Sequence, residues 1–377
     1  MHLDSVELFH LSMRLKAPFE TSFGVEHDRE CVILRVQGEG LAGWGECVAG
    51  QFPGYSYETA VTAWHMLKDF YIPSLLAAPL QDIQDFRERI AHLRGHPMAR
   101  AGLEMALWDL WGKAQSKSLK GLLGGERPQV SVGVSIGLQD STPALLQTVQ
   151  GYVDSGYARV KLKIKPGRDL EPVRAVRRAF PDLPLQVDAN SAYTLADSGT
   201  FQAMDDLDLL MIEQPLAEDD LLDHVRLQAE LKTALCLDES ILSARIARQA
   251  LDAGACRIIN IKAGRVGGLA EAAAIHDVCR EAGAPVWCGG MLETGIGRAS
   301  NLALASLPGF TLPGDISASA RYYARDIAEP TFTLNADSTI DVPTGPGLGV
   351  HVLVDELDRV TVRKEEFGPA GRPQVPA

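Results

Sequence analysis

Five reactive side chains recur along the chain at nearly constant intervals. They are Lys163, Asp188, Glu213, Asp238 and Lys262, at steps of 25, 25, 25 and 24 residues. Each stands at or near the end of a short apolar run of strand character: YARVKLKIK (157–165), LPLQVDAN (183–190), LLMIEQP (209–215), ALCLDES (234–240) and CRIINIKAG (256–264). A step of about 25 residues suits one strand plus one helix, the unit of a parallel barrel, where reactive groups gather at the strand ends. Three carboxylates between two lysines therefore read as a metal site flanked by two acid/base groups.

The alternation extends beyond the five runs. VSVGVSIG (130–137) precedes them, and APVWCGG (284–290) and FTLPGDI (310–316) follow. Ala-rich, mixed-charge stretches such as SARIARQALDAG and GLAEAAAIHDVCREAG separate them as helices. Eight strands are the number that closes a barrel. With VSVGVSIG as the first strand, Lys163 lies on the second and Lys262 on the sixth. In a ring of eight these strands face each other, so the two lysines approach a substrate from opposite sides.

Residues 1–125 read differently. VELFHLSMRL and CVILRVQGEGLAGWGEC have the character of antiparallel strands with Gly-rich turns. In RAGLEMALWDLWGKA, Leu103, Leu107, Leu110, Trp111 and Ala114 share one helical face. The expected organisation is an α+β cap over 1–125, a barrel over 126–320, and a segment over 321–377 that returns to the cap. The tail FGPAGRPQVPA is expected to be loose.

Oxygen-only ligands at Asp188, Glu213 and Asp238 favour a hard divalent cation, Mg²⁺ or Mn²⁺, one per subunit. No histidine stands near them in sequence, which disfavours zinc. An isolated acid at a strand end commonly caps the next helix; three at equal phase in successive units outweigh that reading. Glu239 points away from Asp238 along a strand and reads as a supporting or loop acid. Lys161 and Lys163 project to the same side of their strand. Their mutual repulsion, together with the metal charge, is expected to lower their pKa and free an amine to act as a base. Arg265, three residues beyond Lys262, is a candidate cationic neighbour or else a helix-start or surface residue. The aromatic, Gly-containing stretches PFETSFGVEH (18–27) and GQFPGYS (50–56) read as lid loops or as ordinary loop packing.

Other patterns carry less. GVSIG (133–137) matches a nucleophile elbow in letters only, because Ser135 falls inside a strand; Ser135 is kept as a pocket candidate. GRVGG (264–268) lacks the full phosphate-loop spacing. His92 and His96 are four apart, but Gly95 and Pro97 break a helical metal face.

The net charge of −13, from 36 basic and 49 acidic residues, argues against general binding to nucleic acid or an anionic membrane. Six cysteines without a C-x-x-C pair point to a reducing, cytoplasmic setting. The N-terminal stretch has no leader pattern, and no 18-residue apolar run is present.

Lys161-x-Lys163, VDAN, IEQP, LDES, NIKAGRVGG and GGMLETGIGR (289–298) stand in an order that resembles the enolase superfamily, muconate-lactonising subgroup. The resemblance covers nearly the whole chain. It implies an α+β cap over a (β/α)₇β barrel, Mg²⁺ on Asp188, Glu213 and Asp238, and Lys163 and Lys262 as bases. It implies abstraction of a proton α to a carboxylate through a metal-stabilised enediolate, and a homo-oligomer, an octamer. Within the subgroup the chain is most similar to the N-acylamino acid racemase/o-succinylbenzoate synthase family. Dipeptide epimerases carry D-x-D near the last strand; here Asp315-Ile316-Ser317 breaks that pattern. Met291, Glu293, Ile316, Asn190, Phe19, Phe23 and Tyr55 are the remaining pocket candidates. Racemisation of N-acylamino acids, N-succinyl included, is the first expectation, o-succinylbenzoate synthesis the second and muconate cycloisomerisation the third. A Schiff-base aldolase would not need the three acids, and a metal-stabilised binding protein would not turn over.

Overall fold

Period-two patterning makes the first sheet two-sided. The computed structural model describes residues 1–369, so the end of the tail expected to be loose lies outside the described residues. Strands β1 (Ser5–Glu20), β2 (Val25–Gly38) and β3 (Leu41–Cys47) form an antiparallel meander. Val6, Leu8, Val32, Leu34 and Val36 pack on one face with the helices of residues 60–114. Phe9, Leu11, Met13, Cys31 and Ile33 join the larger core on the other face. Helix α1 (Pro97–Ala114) lies so close to β3 that a Cβ on Gly45 would fall 2.1 Å from the Gly102 carbonyl oxygen, so no side chain fits there.

The central sheet is parallel and curled, with seven strands in sequence order. They are β4 (Val134–Ile136), β5 (Val160–Lys163), β6 (Leu185–Asp188), β7 (Ile212–Glu213), β8 (Leu235–Leu237), β9 (Ile258–Ile261) and β10 (Val286–Cys288). Nearly every strand residue is buried, as both-face coverage by helices requires. The intervening helices include α2 (Thr142–Asp154), α3 (Leu170–Ala179), α4 (Leu221–Glu230), α5 (Ala244–Ala253) and α6 (Leu269–Glu281), with α7 (Gly295–Ala305) after β10. Capping side chains start several of them: Ser141 before α2, Asp220 before α4 and Ser243 before α5.

The run at 310–316 forms no regular strand. It makes single bridges, Phe310 to Val286 on β10 and Gly314 to Val132 just before β4. Backbone bonds go to both neighbours: Asp315 N–H donates to Cys288 O at 2.9 Å, and Gly133 N–H donates to Gly314 O at 2.7 Å. Pro313 has no N–H to give, which interrupts the ladder there. Finally β11 (Thr361–Phe367) pairs antiparallel with β1, placing Phe367 beside Val6.

The stretch at 18–27 is not a loop. Both strands of the β1–β2 hairpin run through it, with Phe19 opposite Glu26 and Glu20 opposite Val25. Only residues 21–24 turn, closed by Thr21 N–H donating to Gly24 O at 2.9 Å.

Candidate active site

Strand register delivers the reactive groups to one rim. Lys163 pairs with Asp188, and Asp188 with Glu213, on β5, β6 and β7. Asp238 follows β8, and Lys262 follows β9 as the residue preceding a short helical turn. Asn190 and Gln214, just past two of these ends, adopt left-handed φ values of 43° and 37°. Such backbone is costly and persists where surroundings hold it. Gln214 is held by its side chain, whose Oε1 accepts from the backbone N–H of Asp238 and Ser240 at 3.0 and 3.2 Å.

A buried ion network joins the rim. Lys161 Nζ stands 2.9 Å from Asp188 Oδ2, 2.9 Å from Glu213 Oε2 and 2.6 Å from Asp315 Oδ2. Lys163 Nζ donates to Asp188 Oδ2 and to Asn190 Oδ1, both at 2.6 Å. Lys262 Nζ donates to Asp238 Oδ2 at 2.8 Å and lies 4.3 Å from the centre of the Tyr55 ring. Arg265 is buried and pairs with Asp238 Oδ1, so it is not a surface residue. Asn260 Nδ2 donates to Glu213 Oε1 at 2.8 Å, and Asn190 Nδ2 to Glu239 Oε1 at 2.8 Å.

The electrostatics correct one expectation. Repulsion was expected to depress both strand-β5 lysines. At Lys163 burial does lower the pKa, Asp188 opposes it, and Lys161 adds to the lowering. At Lys161 burial also disfavours the charge, but Asp188, Asp315 and Glu213 outweigh it and hold the amine well above its ordinary value. Lys161 is therefore held as a cation by these three acids. Lys262 is raised: burial opposes its charge, and Tyr55 and nearby acids more than offset that. Burial and the Asp188 charge push Glu239 up to about 7.

One cavity of about 350 Å³ collects Lys161, Lys163, Lys262, Ser135, Asn190, Met291, Phe19, Phe23 and Tyr55. Asp188, Glu213 and Asp238 lie beneath the lysines, at most 1% exposed. Two candidates are not among the lining residues. Ile316 is packed in the core, and Glu293 Oε1 accepts from Asn301 Nδ2 at 2.8 Å. Tyr55 does more than cover the mouth, since its hydroxyl donates to Asp238 Oδ1 at 3.0 Å. Sequence reasoning missed Asp315, Arg159, Asn260, Tyr322 and Arg29. Asn260 had a signal, two residues before Lys262 on one strand and hence on the same side. Asp315 was noticed only as half of an absent motif; its Oδ1 accepts from Arg159 Nη1 at 2.6 Å while its Oδ2 meets Lys161.

The three acids fit a hard divalent cation in donor type: all oxygen, fully buried and on successive strand ends. Glu239 Oε2 and Asn260 Oδ1 are further buried oxygens without a hydrogen-bond partner. Among the described residues no three His, Cys, Asp or Glu side chains already converge as a coordination set; the lysine amines stand between the carboxylates instead.

Comparison with known proteins gives two matching family models. One, enolase C-terminal domain-like, matches residues 144–356. The other, the N-terminal domain of mandelate racemase/muconate lactonizing enzyme, matches residues 4–124. An o-succinylbenzoate synthase of Geobacillus kaustophilus is 53% identical over 96% of this chain and 96% of its own. An N-succinylamino acid racemase of Amycolatopsis sp. is 52% identical over 98% of this chain and all of its own. A crystal structure of an enolase-superfamily protein of Listeria innocua superposes with a TM-score of 0.94 at 42% identity, over 98% of this chain and 100% of that one.

Proposed function

Since the chain belongs to the mandelate racemase/muconate lactonizing family of the enolase superfamily, we propose that it racemises N-acylamino acids, N-succinylamino acids included, by a two-lysine 1,1-proton transfer. The carrying observation is that Lys163 and Lys262, from β5 and the end of β9, line one cavity and hold different carboxylates, Asp188 and Asp238. The α-carbon is placed between the two amines. Neutral Lys163 takes the α-proton, the C–H electron pair moves into the adjoining carboxylate, and the Lys262 ammonium returns a proton to the opposite face. The roles reverse for the other enantiomer. Asp188, Glu213 and Asp238 would hold one divalent cation per subunit, Mg²⁺ by donor type, which when bound supplies positive charge to the substrate carboxylate as its negative charge grows. Lys161, fixed by three acids, adds a permanent positive charge close by.

The second reading, o-succinylbenzoate synthesis, is favoured by the name of the Geobacillus kaustophilus relative. There Lys163 alone would remove the proton and then protonate the departing hydroxyl on the same face, with Lys262 offering charge only. The same residues serve both reactions. Proton exchange at Cα in D₂O across N-acylamino acids, beside turnover of the o-succinylbenzoate precursor, separates them. No exchange from any N-acylamino acid would remove the first reading.

The reading also carries an architecture. The 310–316 run counts as the eighth strand of a (β/α)₇β barrel, supported by its bonds to β10 on one side and to the residues just before β4 on the other. The divisions are a cap over 1–125, a barrel over 126–320 and a returning segment over 321–377, supported by the β11–β1 pairing. A homo-oligomer, an octamer, in the cytoplasm completes it. Exposed Phe52, Tyr57 and Val61 offer subunit contacts, and six free, buried cysteines suit a reducing compartment.

A further inference from the structure

We propose that Arg29 is the specificity residue for a second carboxylate on the substrate, at the far end of its acyl arm; this rests on the N-acylamino acid reading above. Arg29 comes from β2, on the cap side, and lines the same cavity as the three lysines. It is 3% exposed, and a guanidinium keeps its charge at any working pH. A buried charge of this kind needs a close, well-made counter-charge. Arg29 lacks one. Nη2 donates to the Val48 carbonyl, Nε has no partner, and Nη1 reaches Glu26 Oε1 only at 3.5 Å. The Glu26 side chain is 37% exposed and so keeps contact with solvent.

The space beside this loose pair is kept clear. A Cβ on Gly50 would lie 2.8 Å from Arg29 Nη1 and 3.3 Å from Glu26 Oε1. Gly50 has no left-handed φ, so the backbone does not demand glycine there; an added Cβ would press on Nη1. The cap side of the cavity is otherwise lined by Phe19, Phe23, Phe52, Tyr55 and Met98 with the polar Thr21, Ser56 and Glu58, none of them cationic. Lys161, Lys163 and Lys262 are committed to the strand-end acids. Arg29 is thus the cavity cation left for a remote anion, with Glu26 as a weak stand-in that an incoming carboxylate displaces. The two relatives' names share one chemical element, a succinyl group, whose free end is a carboxylate.

The test compares N-succinyl and N-acetyl derivatives of one amino acid by α-proton exchange and racemisation in the whole protein. In Arg29→Gln the KM ratio of N-succinyl to N-acetyl should rise about tenfold, as loss of a charge-assisted hydrogen bond implies. Gly50→Ala, which crowds Nη1 while keeping the arginine and its charge, should move the ratio the same way. Glu26→Gln should lower the N-succinyl KM, because the competing carboxylate is gone. Equal KM changes for both substrates in Gly50→Ala and Glu26→Gln would overturn the assignment while leaving the racemase reading intact. A wild-type protein that exchanges the α-proton of neither substrate would instead defeat the reading itself, and the Arg29 assignment with it.

Discussion

At the scale of single residues, the division of labour among the lysines is the sharpest claim. Strand position and hydrogen bonding put Lys163 and Lys262 on separate acids. In D₂O, Lys163→Ala should lose α-proton exchange from one enantiomer while keeping some from the other, and Lys262→Ala should show the reverse. Lys262→Arg keeps the charge and cannot serve as a base near neutrality; racemisation should fall about 10²-fold or more, the usual worth of a positioned acid/base group. Normal racemisation by that variant would end the two-base mechanism. Asp315 allows a separate prediction about stability. It is the counter-charge of Arg159, 1% exposed, and one of three for Lys161. Asp315→Asn should cost about 3–5 kcal/mol in denaturant unfolding, because a buried cation is left uncompensated. The lysine–acid spacing was legible in the sequence because each member ends a regular repeat. Asp315 was not, because its partner Arg159 lies 156 residues away; Arg29 was not, because its place on the cavity beside the strand-end lysines comes from packing between segments far apart in sequence. No local pattern records such contacts.

Among the elements, the junction between β3 and α7 carries a pH prediction. Glu46 at the end of β3 is fully buried against the start of α7. Its carboxylate accepts from Thr294 Oγ1 at 2.7 Å and from the Gly297 backbone N–H at 2.9 Å. Burial, then the charge of Glu293, pushes its pKa up to about 7 despite these donors. The folded form therefore holds the proton more tightly than the unfolded chain does. Stability from this group is present below the ordinary value of 4.5 and is lost as pH rises towards 7. Glu58, on which the first N–H groups of α1 converge, is raised to about 7 by burial in the same way. Glu46→Gln should flatten part of the fall in Tm between pH 4.5 and 7, with Glu58 responsible for a further part. An unchanged profile would show that Glu46 ionises without cost. Elements also mark where the sequence could be read and where it could not. The helices between the parallel strands follow from caps and periodicity. The 310–316 run reads as a strand by composition, yet Pro313 breaks its ladder. The 18–27 stretch reads as a loop because Pro18, Gly24 and two phenylalanines interrupt any strand alternation, yet hairpin pairing of Phe19 with Glu26 and Glu20 with Val25 keeps it extended.

For the molecule as a whole, the constraint is the charge buried where the cap meets the parallel sheet. Asp188, Glu213, Asp238, Glu239 and Asp315 gather there with Arg159, Lys161, Lys163, Lys262 and Arg265. Desolvating so many charges costs stability that pairing only partly returns, which suits a set kept for use. If the acids hold a divalent cation, the folded protein binds it and the unfolded chain does not. Folding stability must then rise with metal concentration, by about 2.7 kcal/mol at one hundred times Kd. Chelation should abolish proton exchange, and Mg²⁺ or Mn²⁺ should restore it. Glu213→Gln is the discriminating variant. Its Oε1 accepts from Asn260 and its Oε2 meets Lys161, so the amide keeps the shape but withdraws one anionic donor. Calorimetric Mg²⁺ affinity should fall at least tenfold, and the metal-dependent rise in Tm should shrink at a fixed Mg²⁺ concentration. Because the Tm rise is read without substrate, it tests the metal site apart from the reaction. Full activity after exhaustive chelation, together with a Tm indifferent to Mg²⁺, would leave the three acids as counter-ions for the lysines and nothing more.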